Sequence, residues 1–319
     1  MLKLDRVSKV YRVGTFGGRE LRAVSDVSFE IEAGEVISLI GESGSGKSTL
    51  GKMILGLIPI SSGAITFNGT DISTLKGRAL KEYYRQVQGV FQDPFSSYNP
   101  IFKADRVFSL IRDEFFPTVR GPAWEEQVHH SLEAVGLNPG QVLDKFPHQL
   151  SGGQLQRLLI ARALLLNVQV LVADEIISML DASTRIDVLN LLADLKTRGL
   201  SILFITHDLS LGYYISEKAV ILYKGHIVEM GETEKVYLNP LHPYTKMLMA
   251  SVPRLDKKWA EVEAEVGLEE DHSVLPTGWR YYQSGPVAAK NGHQAGPLGR
   301  PQPTLLEVEP AHFVACSQL

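Results

Sequence analysis

Apolar residues recur at every second position near the start of the chain. Leu2 and Leu4, then Val27, Phe29 and Ile31, have the period of half-buried strands, and Gly14, Gly17 and Gly18 mark a loop between two of them. Glu35 to Ile40 is a short apolar run that ends at a glycine, which predicts a buried strand. Leu50, Met53, Ile54, Leu57 and Ile58 follow at helical spacing, so the order is strand, glycine loop, helix. Gly63 to Ile72 predicts a hairpin. Between Pro94 and Pro147 prolines punctuate helical segments and strand signal is weak, which predicts a helical insertion. A helix over Gln154 to Leu166, a buried strand over Val168 to Ala173, an amphipathic helix over Thr184 to Thr197 stopped by Gly199, and a buried strand over Leu200 to Thr206 complete the pattern. Short buried strands alternating with helices imply an α/β fold with a mainly parallel sheet covered on both faces. Beyond Gly231 the pattern weakens. A short helix falls within Pro240 to Pro253, Asp256 to Glu270 is charged and aperiodic, and Gly278 to Pro303 reads as loop or poorly ordered chain.

Composition narrows the partners more than the fold. The 319 residues suffice for one large domain or two modest ones, and 44% apolar with 21% charged residues is ordinary for a soluble globular protein. Acids exceed Lys plus Arg, giving a net charge of -4. That argues against nucleic acid as a main partner, because phosphate backbones are gripped by a basic excess. The single cysteine, Cys316, permits no intramolecular disulfide, which fits a reducing cytosol. Met1 to Val10 lacks the apolar core of a signal peptide. The greasiest stretch, Leu155 to Ala173, is broken by Gln156, Arg157, Arg162, Asn167 and Gln169, so membrane association is expected only through a partner.

The strongest chemistry lies at Gly41-Glu-Ser43-Gly44-Ser45-Gly46-Lys47-Ser48-Thr49, a full match to the phosphate-loop pattern. Glycines let successive N–H groups curl inward on an anion, and the helix starting near Lys47 adds its positive end. Lys47 is expected on the β and γ phosphates and the Ser48 hydroxyl on Mg²⁺. Downstream, Val170 to Glu175 is an apolar strand tipped by two carboxylates. Asp174 suits the Mg²⁺ shell, and Glu175 could polarise an attacking water. Leu150-Ser151-Gly152-Gly153-Gln154 opens a helix; it is a second anion site or an ordinary cap on Ser151.

The LSGGQ run, followed within about 25 residues by an Asp-Glu-tipped strand, resembles the ATP-binding cassette (ABC) family. The resemblance covers roughly residues 1 to 250. It implies a P-loop NTPase fold: a RecA-like, mainly parallel sheet core, an N-terminal antiparallel β subdomain, a helical insertion at about 94–147, and an irregular extension over 251–319. By the same resemblance Gln92 is the Q-loop glutamine and shares in the metal site, His207 is the switch histidine on the γ-phosphate, Asp181 is the D-loop aspartate, and Tyr11 stacks on adenine. It further implies a head-to-tail pair of cassettes, in which Ser151, Gly152, Gly153 and Gln154 serve the ATP held by the partner. One departure stands out. Ile176-Ile177 occupies the place of the family's usual Pro-Thr, next to Glu175 and the D-loop. Glu175 is intact, so hydrolysis is still expected.

Phe91-Gln-Asp-Pro-Phe-Ser-Ser-Tyr-Asn-Pro100 and Asn239-Pro-Leu-His242-Pro243-Tyr244-Thr245 are similar to the oligopeptide, dipeptide and nickel import branch of that family. Pro243 and Thr245 would equally serve an ordinary helix start. The branch implies two different cassettes, two membrane-spanning permease subunits, a separate solute-binding protein, and a site on the cytoplasmic face of the membrane. Phe95, Tyr98 and Phe102 either line a groove for the permease or form a local core cluster. The cargo is open among peptide, oligosaccharide and nickel. Two other readings compete: a soluble ABC ATPase acting on ribosomes or DNA, and a nucleotide-dependent regulatory protein without turnover, whose sole support is Ile176-Ile177. Relatives in the branch often hold an iron–sulfur centre on a C-terminal cysteine cluster, for which four thiolates are usual. With Cys316 alone, the expected cofactors are ATP and Mg²⁺ and no cluster. Iron analysis of the purified protein should find no stoichiometric iron and no visible sulfide-to-iron absorption; a stoichiometric centre would contradict this.

Overall fold

Two periodicities in one chain produce two sheets with a helix between them. The computed structural model describes residues 1–13, 19–251, 275–276, 279–282 and 303–318. The alternating N-terminal segments form β1 (Leu2–Val13) and β2 (Arg19–Ile31), which pair antiparallel. With β4 (Ser62–Phe67) and β5 (Thr70–Asp71) they make a four-stranded sheet ordered β2-β1-β4-β5. The turn between β4 and β5 is Asn68-Gly69, both at positive φ, as a tight hairpin turn requires. The larger sheet starts with β3 (Val36–Ile40), β6 (Val87–Val90), β7 (Val170–Asp174), β8 (Ser201–Thr206) and β9 (Lys218–Tyr223), all mutually parallel in the order β6-β7-β8-β3-β9.

The buried strands feed both faces of this sheet. In β8, Leu203 and Ile205 face a core shared with β1, β4 and helix α1 (Lys47–Ile54), whose Leu50, Met53 and Ile54 fill the space between the sheets. Ile202 and Phe204 face the opposite core, beneath the helices. That side is covered by α3–α7: Arg106–Phe115, Pro122–Glu133, Pro139–Val142, Gly152–Leu165 and Ala182–Thr197, whereas α2 (Gly77–Gln86) packs Tyr83 into the core that α1 fills. The expected helical insertion is therefore α3 to α5. α1 is shorter than its apolar pattern. It ends in a Schellman-type turn, with Gly56 at φ 66, Gly56 N–H donating to Met53 O and Leu57 N–H to Lys52 O. Leu57 and Ile58 lie beyond that stop, with Leu57 exposed.

The sheet also continues past Leu200 to Thr206, the last strand expected from the sequence. α8 (Leu209–Ile215) leads into β9, and β10 (His226–Glu232) returns antiparallel across a Lys224-Gly225 turn with both residues at positive φ. α9 (Thr233–Leu238) and α10 (Pro243–Ala250) follow. β11 (Trp279–Tyr281), β12 (Thr304–Glu309) and β13 (His312–Gln318) then extend the same sheet to nine strands, with β13 pairing on β10. The extension expected to be irregular thus supplies ordered antiparallel strands. The expectations for Gly14 to Gly18, for Asp256 to Glu270, and for most of Gly278 to Pro303 fall outside the described residues. Phe204 is fully buried between β8 and the helical layer. Phe204→Ala should destabilise the fold by ~3–5 kcal/mol, read as a lower urea midpoint; an unchanged midpoint would contradict this packing.

Candidate functional site

β3 delivers the chain into the phosphate loop, and the backbone there has little freedom. A Cβ on Gly41 would lie 2.1 Å from Leu222 O, and one on Gly46 2.4 Å from Ala23 O, so the loop is pressed against β9 on one side and β2 on the other. Gly44 and Gly46 hold φ of 82 and 108, which L side chains rarely adopt. Ser45 is anchored through Ser45 N–H to Glu42 O and Gly225 N–H to Ser45 O. The Lys47 ammonium donates to Gly41 O at 2.6 Å and Glu42 O at 2.9 Å, tying the two ends of the loop together. α1 begins at Lys47 behind Gly46, without a side-chain cap, which leaves its first N–H groups available to an anion. Ser43 and Ser48 are exposed and Thr49 is half-buried at this mouth.

The carboxyl ends of the parallel strands bring the other groups to the same edge. Ser48 Oγ donates to Asp174 Oδ1 at 3.2 Å. A hydroxyl and a carboxylate converging in this way form a hard-oxygen pair suited to Mg²⁺, which commonly takes one or two protein oxygens plus substrate phosphates. Burial pushes the Asp174 carboxyl up from its ordinary value, with Glu175 adding to it, while the Ser48 hydrogen bond and Lys47 oppose it. Burial likewise lowers the Lys47 ammonium, and Glu175, Asp174 and Glu42 offset part of that. Glu175 sits at φ 51, a conformation rare for non-glycine residues, held by Glu175 N–H donating to Ile205 O. Its Oε1 lies 3.3 Å from Nδ1 of His207, which follows β8 directly. The β7–β8 register, Asp174 opposite Ile205, is what sets Glu175 beside His207.

Ile176 and Ile177 are buried and join the helical-side core with Leu180. The turn that a proline would stiffen is closed by Ser178, whose N–H and hydroxyl both donate to Glu175 O. Arg185 braces the next residues, donating from Nε to Leu180 O and from Nη2 to Ser178 O. Hydrophobic anchoring and these bonds take the place of the missing proline ring.

Gln92 is exposed two residues beyond β6. Val90 pairs with Ala173, so Gln92 emerges at the same sheet edge as Asp174 and Glu175. Tyr11 is exposed on β1, with Lys9 Nζ 5.1 Å from its ring centroid. It pairs with Leu21, two residues before Ala23, whose carbonyl touches the phosphate loop at Gly46. Phe95 and Phe102 are exposed, whereas Tyr98 is half-buried against the core; the three divide between the two sequence readings.

Ser151 caps α6 with a complete capping box. Its Oγ accepts from Gln154 N–H, and Gln154 Oε1 accepts from Ser151 N–H. A Cβ on Gly153 would meet Thr184 Cγ2 at 2.5 Å, so the LSGGQ helix start is packed on the start of α7 rather than on its own phosphate loop. Asp181 caps α7, accepting from Ser183 Oγ, Thr184 N–H and Thr184 Oγ1. Tyr244 is a site neighbour that the sequence reading missed. Glu42 N–H donates to its hydroxyl at 3.1 Å, across 202 positions of chain, and no local pattern signals such a contact.

The three bonds to Asp181 hold its carboxyl well below the usual carboxylate range, the Ser183 hydroxyl contributing most. A depressed folded value contributes stability that is present above the unfolded value of ~3.9 and is lost as pH falls through the folded one. Asp181→Asn should therefore lose stability less steeply than wild type below about pH 4, measured as urea midpoints across a pH series; superimposable acid limbs would contradict this.

Comparison with known proteins agrees with the geometry. Residues 24–178 match the ABC transporter family, and residues 228–291 match the oligopeptide/dipeptide transporter C-terminal region. The chain is 40% identical over 300 residues to a putative oligopeptide transport ATP-binding protein, YkfD of Bacillus subtilis, covering 93% of this chain and 90% of that one. It is 44% identical over 240 residues to the glutathione import ATP-binding protein GsiA of Salmonella typhi, covering 75% of this chain and 38% of GsiA. Among solved structures, the ATP-binding cassette MJ0796, a dimer in a post-hydrolysis state bound to ADP and Pi, superposes with a TM-score of 0.65 at 28% identity, covering 73% of this chain and 99% of that chain. A phosphate-loop pattern, a carboxylate-tipped strand and a histidine beside it at one sheet edge, on a chain this similar along its length, agree with the family: the protein belongs to the ABC transporters, as an ATP-hydrolysing subunit of the branch that carries the oligopeptide/dipeptide transporter C-terminal region.

Proposed function

We propose that this chain energises an importer of oligopeptides, dipeptides or a related solute, working as one half of a head-to-tail cassette pair. The observation that carries the reading is the meeting of Lys47, the Ser48–Asp174 contact and the Glu175–His207 pair at the carboxyl edge of one parallel sheet. Ligands of open α/β sheets bind at that edge.

In this reading Lys47 and the N–H groups of Gly44 to Thr49 bind the phosphates, and Tyr11 stacks on the base. Ser48, Asp174 and Gln92 would hold Mg²⁺, which when bound neutralises charge on the β and γ phosphate oxygens. Glu175 orients and polarises the attacking water. His207, within reach of Glu175, holds that carboxylate in place and offers a ring N–H toward the γ-phosphate. Ser151, Gly152, Gly153 and Gln154, beside the Asp181 turn, serve the ATP of the partner cassette. Ser151 is exposed at the start of α6, with Gly152 and Gln154 half-buried beside it, which is consistent with that use.

The names of relatives support the cargo class: oligopeptide transport for YkfD and glutathione import for GsiA. Among the described residues no helix is long and apolar enough to cross a membrane. We assign the chain to the cytoplasmic face, held there by two permease subunits, with a solute-binding protein acting from the other side and a second cassette, of the same or another chain, as its pair. The exposed Phe95 and Phe102 suit a permease contact. Steady ATP hydrolysis by the assembled transporter should disappear in Lys47→Ala and fall about 10²- to 10⁴-fold in Glu175→Gln. No turnover in the wild type with membrane partners present, or full turnover in Glu175→Gln, would overturn the reading.

A further inference from the structure

The peptide group between Gly41 and Glu42 is held at both ends. Its carbonyl, Gly41 O, accepts from the Lys47 ammonium at 2.6 Å. Its N–H, on Glu42, donates to the Tyr244 hydroxyl at 3.1 Å. One planar unit thus connects the phosphate-binding lysine to a side chain of α10, and polarisation at one end of a peptide strengthens the bond at the other.

Tyr244 is itself firmly placed. It is buried, and its ring stacks on Tyr223 with centroids 4.1 Å apart and planes at 29°. Tyr223 directly follows Leu222, the residue whose carbonyl supports Gly41. The helix bearing Tyr244 is fixed at its start by His242, whose Nδ1 accepts from Tyr244 N–H. Upstream, the buried Glu229 carboxylate of β10 accepts from Leu241 N–H and His242 N–H, both at 2.9 Å, and lies 2.7 Å from His312 Nε2 of β13. The buried carboxylate therefore has three partners, which is what a charged group inside a protein needs. The chain of contacts runs from the C-terminal strand, through Glu229 and the His242-Pro243-Tyr244 segment, to the phosphate loop.

We propose that Tyr244 is a positioning residue for the phosphate loop: through the Gly41–Glu42 peptide it fixes the loop geometry in which Lys47 receives ATP, and so makes nucleotide affinity depend on the docked C-terminal segment. The proposal rests on the ATP-binding reading of this loop. The loop cradles phosphate in both the ground state and the transition state, so loosening it weakens both equally and appears in KM rather than in kcat.

Tyr244→Phe keeps the stacked ring and removes the acceptor. In the nucleotide-free, full-length protein, amide hydrogen exchange at Glu42 should accelerate, while the Leu241 and His242 amides on Glu229 stay protected. This readout needs no nucleotide, so it reports on the tie even if the ATP reading fails. The Kd and KM for MgATP should rise roughly three- to tenfold, the loss of one hydrogen bond, with kcat close to wild type. Glu42→Pro removes the donor instead. It should raise KM similarly, and adding Tyr244→Phe to it should produce no further rise. Unchanged exchange at Glu42 would overturn the proposal. So would loss of protection at Leu241 and His242 together with Glu42, which would mark a merely structural role, and so would multiplying effects in the double variant.

Discussion

The grip of the Lys47 ammonium on Gly41 O and Glu42 O sets the terms for the surrounding structure. A loop curled tightly enough to present its N–H groups to phosphate turns carbonyls away from the usual ladders, and the lysine satisfies two of them. Those bonds in turn require α1 to begin directly behind Gly46, β9 to pass close under Gly41, and β2 to pass close beside Gly46. The apolar filling of α1 between the two sheets fixes the helix that carries the lysine. Burial lowers the lysine's proton affinity and raises that of Asp174; their mutual attraction counters both shifts, while Glu175 opposes the lysine's shift and adds to that of Asp174. Charges drawn together in a partly dry cleft act on a phosphate more strongly than they would in water.

Much of this was legible from residue order. The phosphate loop, the Asp174-Glu175 tip, Ser151 to Gln154 and Asp181 each depend on local backbone geometry, which leaves a local signature: glycines where φ must be positive, Ser and Asp where a helix must be capped. β7 and β8 announced themselves as unbroken apolar runs because both faces are covered. α1 was read too long, since Leu57 and Ile58 keep the helical spacing after Gly56 has already ended the helix.

Long-range pairing was not legible. β9 and β10 escaped the pattern although Lys224-Gly225 is a sound hairpin turn, and β13 joins β10 across some 80 residues of chain through no local rule. The Glu42–Tyr244 bond and the Glu229–His312 contact are of the same kind: each needs the fold before the partners meet. Cys316 shows how context changes a residue's meaning. It is buried in β13 beside Val314 and Tyr281, and burial pushes its thiol up to about 11. Ile176 and Ile177, a departure from the family pattern, prove to be core residues that seat Glu175.

The central claim is that this chain carries half of a hydrolytic site: Lys47 binds ATP within one chain, while Ser151 to Gln154 act on a neighbour's nucleotide. The most direct test is the hydrolysis rate per chain across a dilution series, with and without partner subunits, alongside ATP binding on the same samples. The account predicts that binding per chain stays constant while the rate per chain climbs as chains associate. A rate per chain that stays flat from the most dilute sample to the assembled transporter would contradict it.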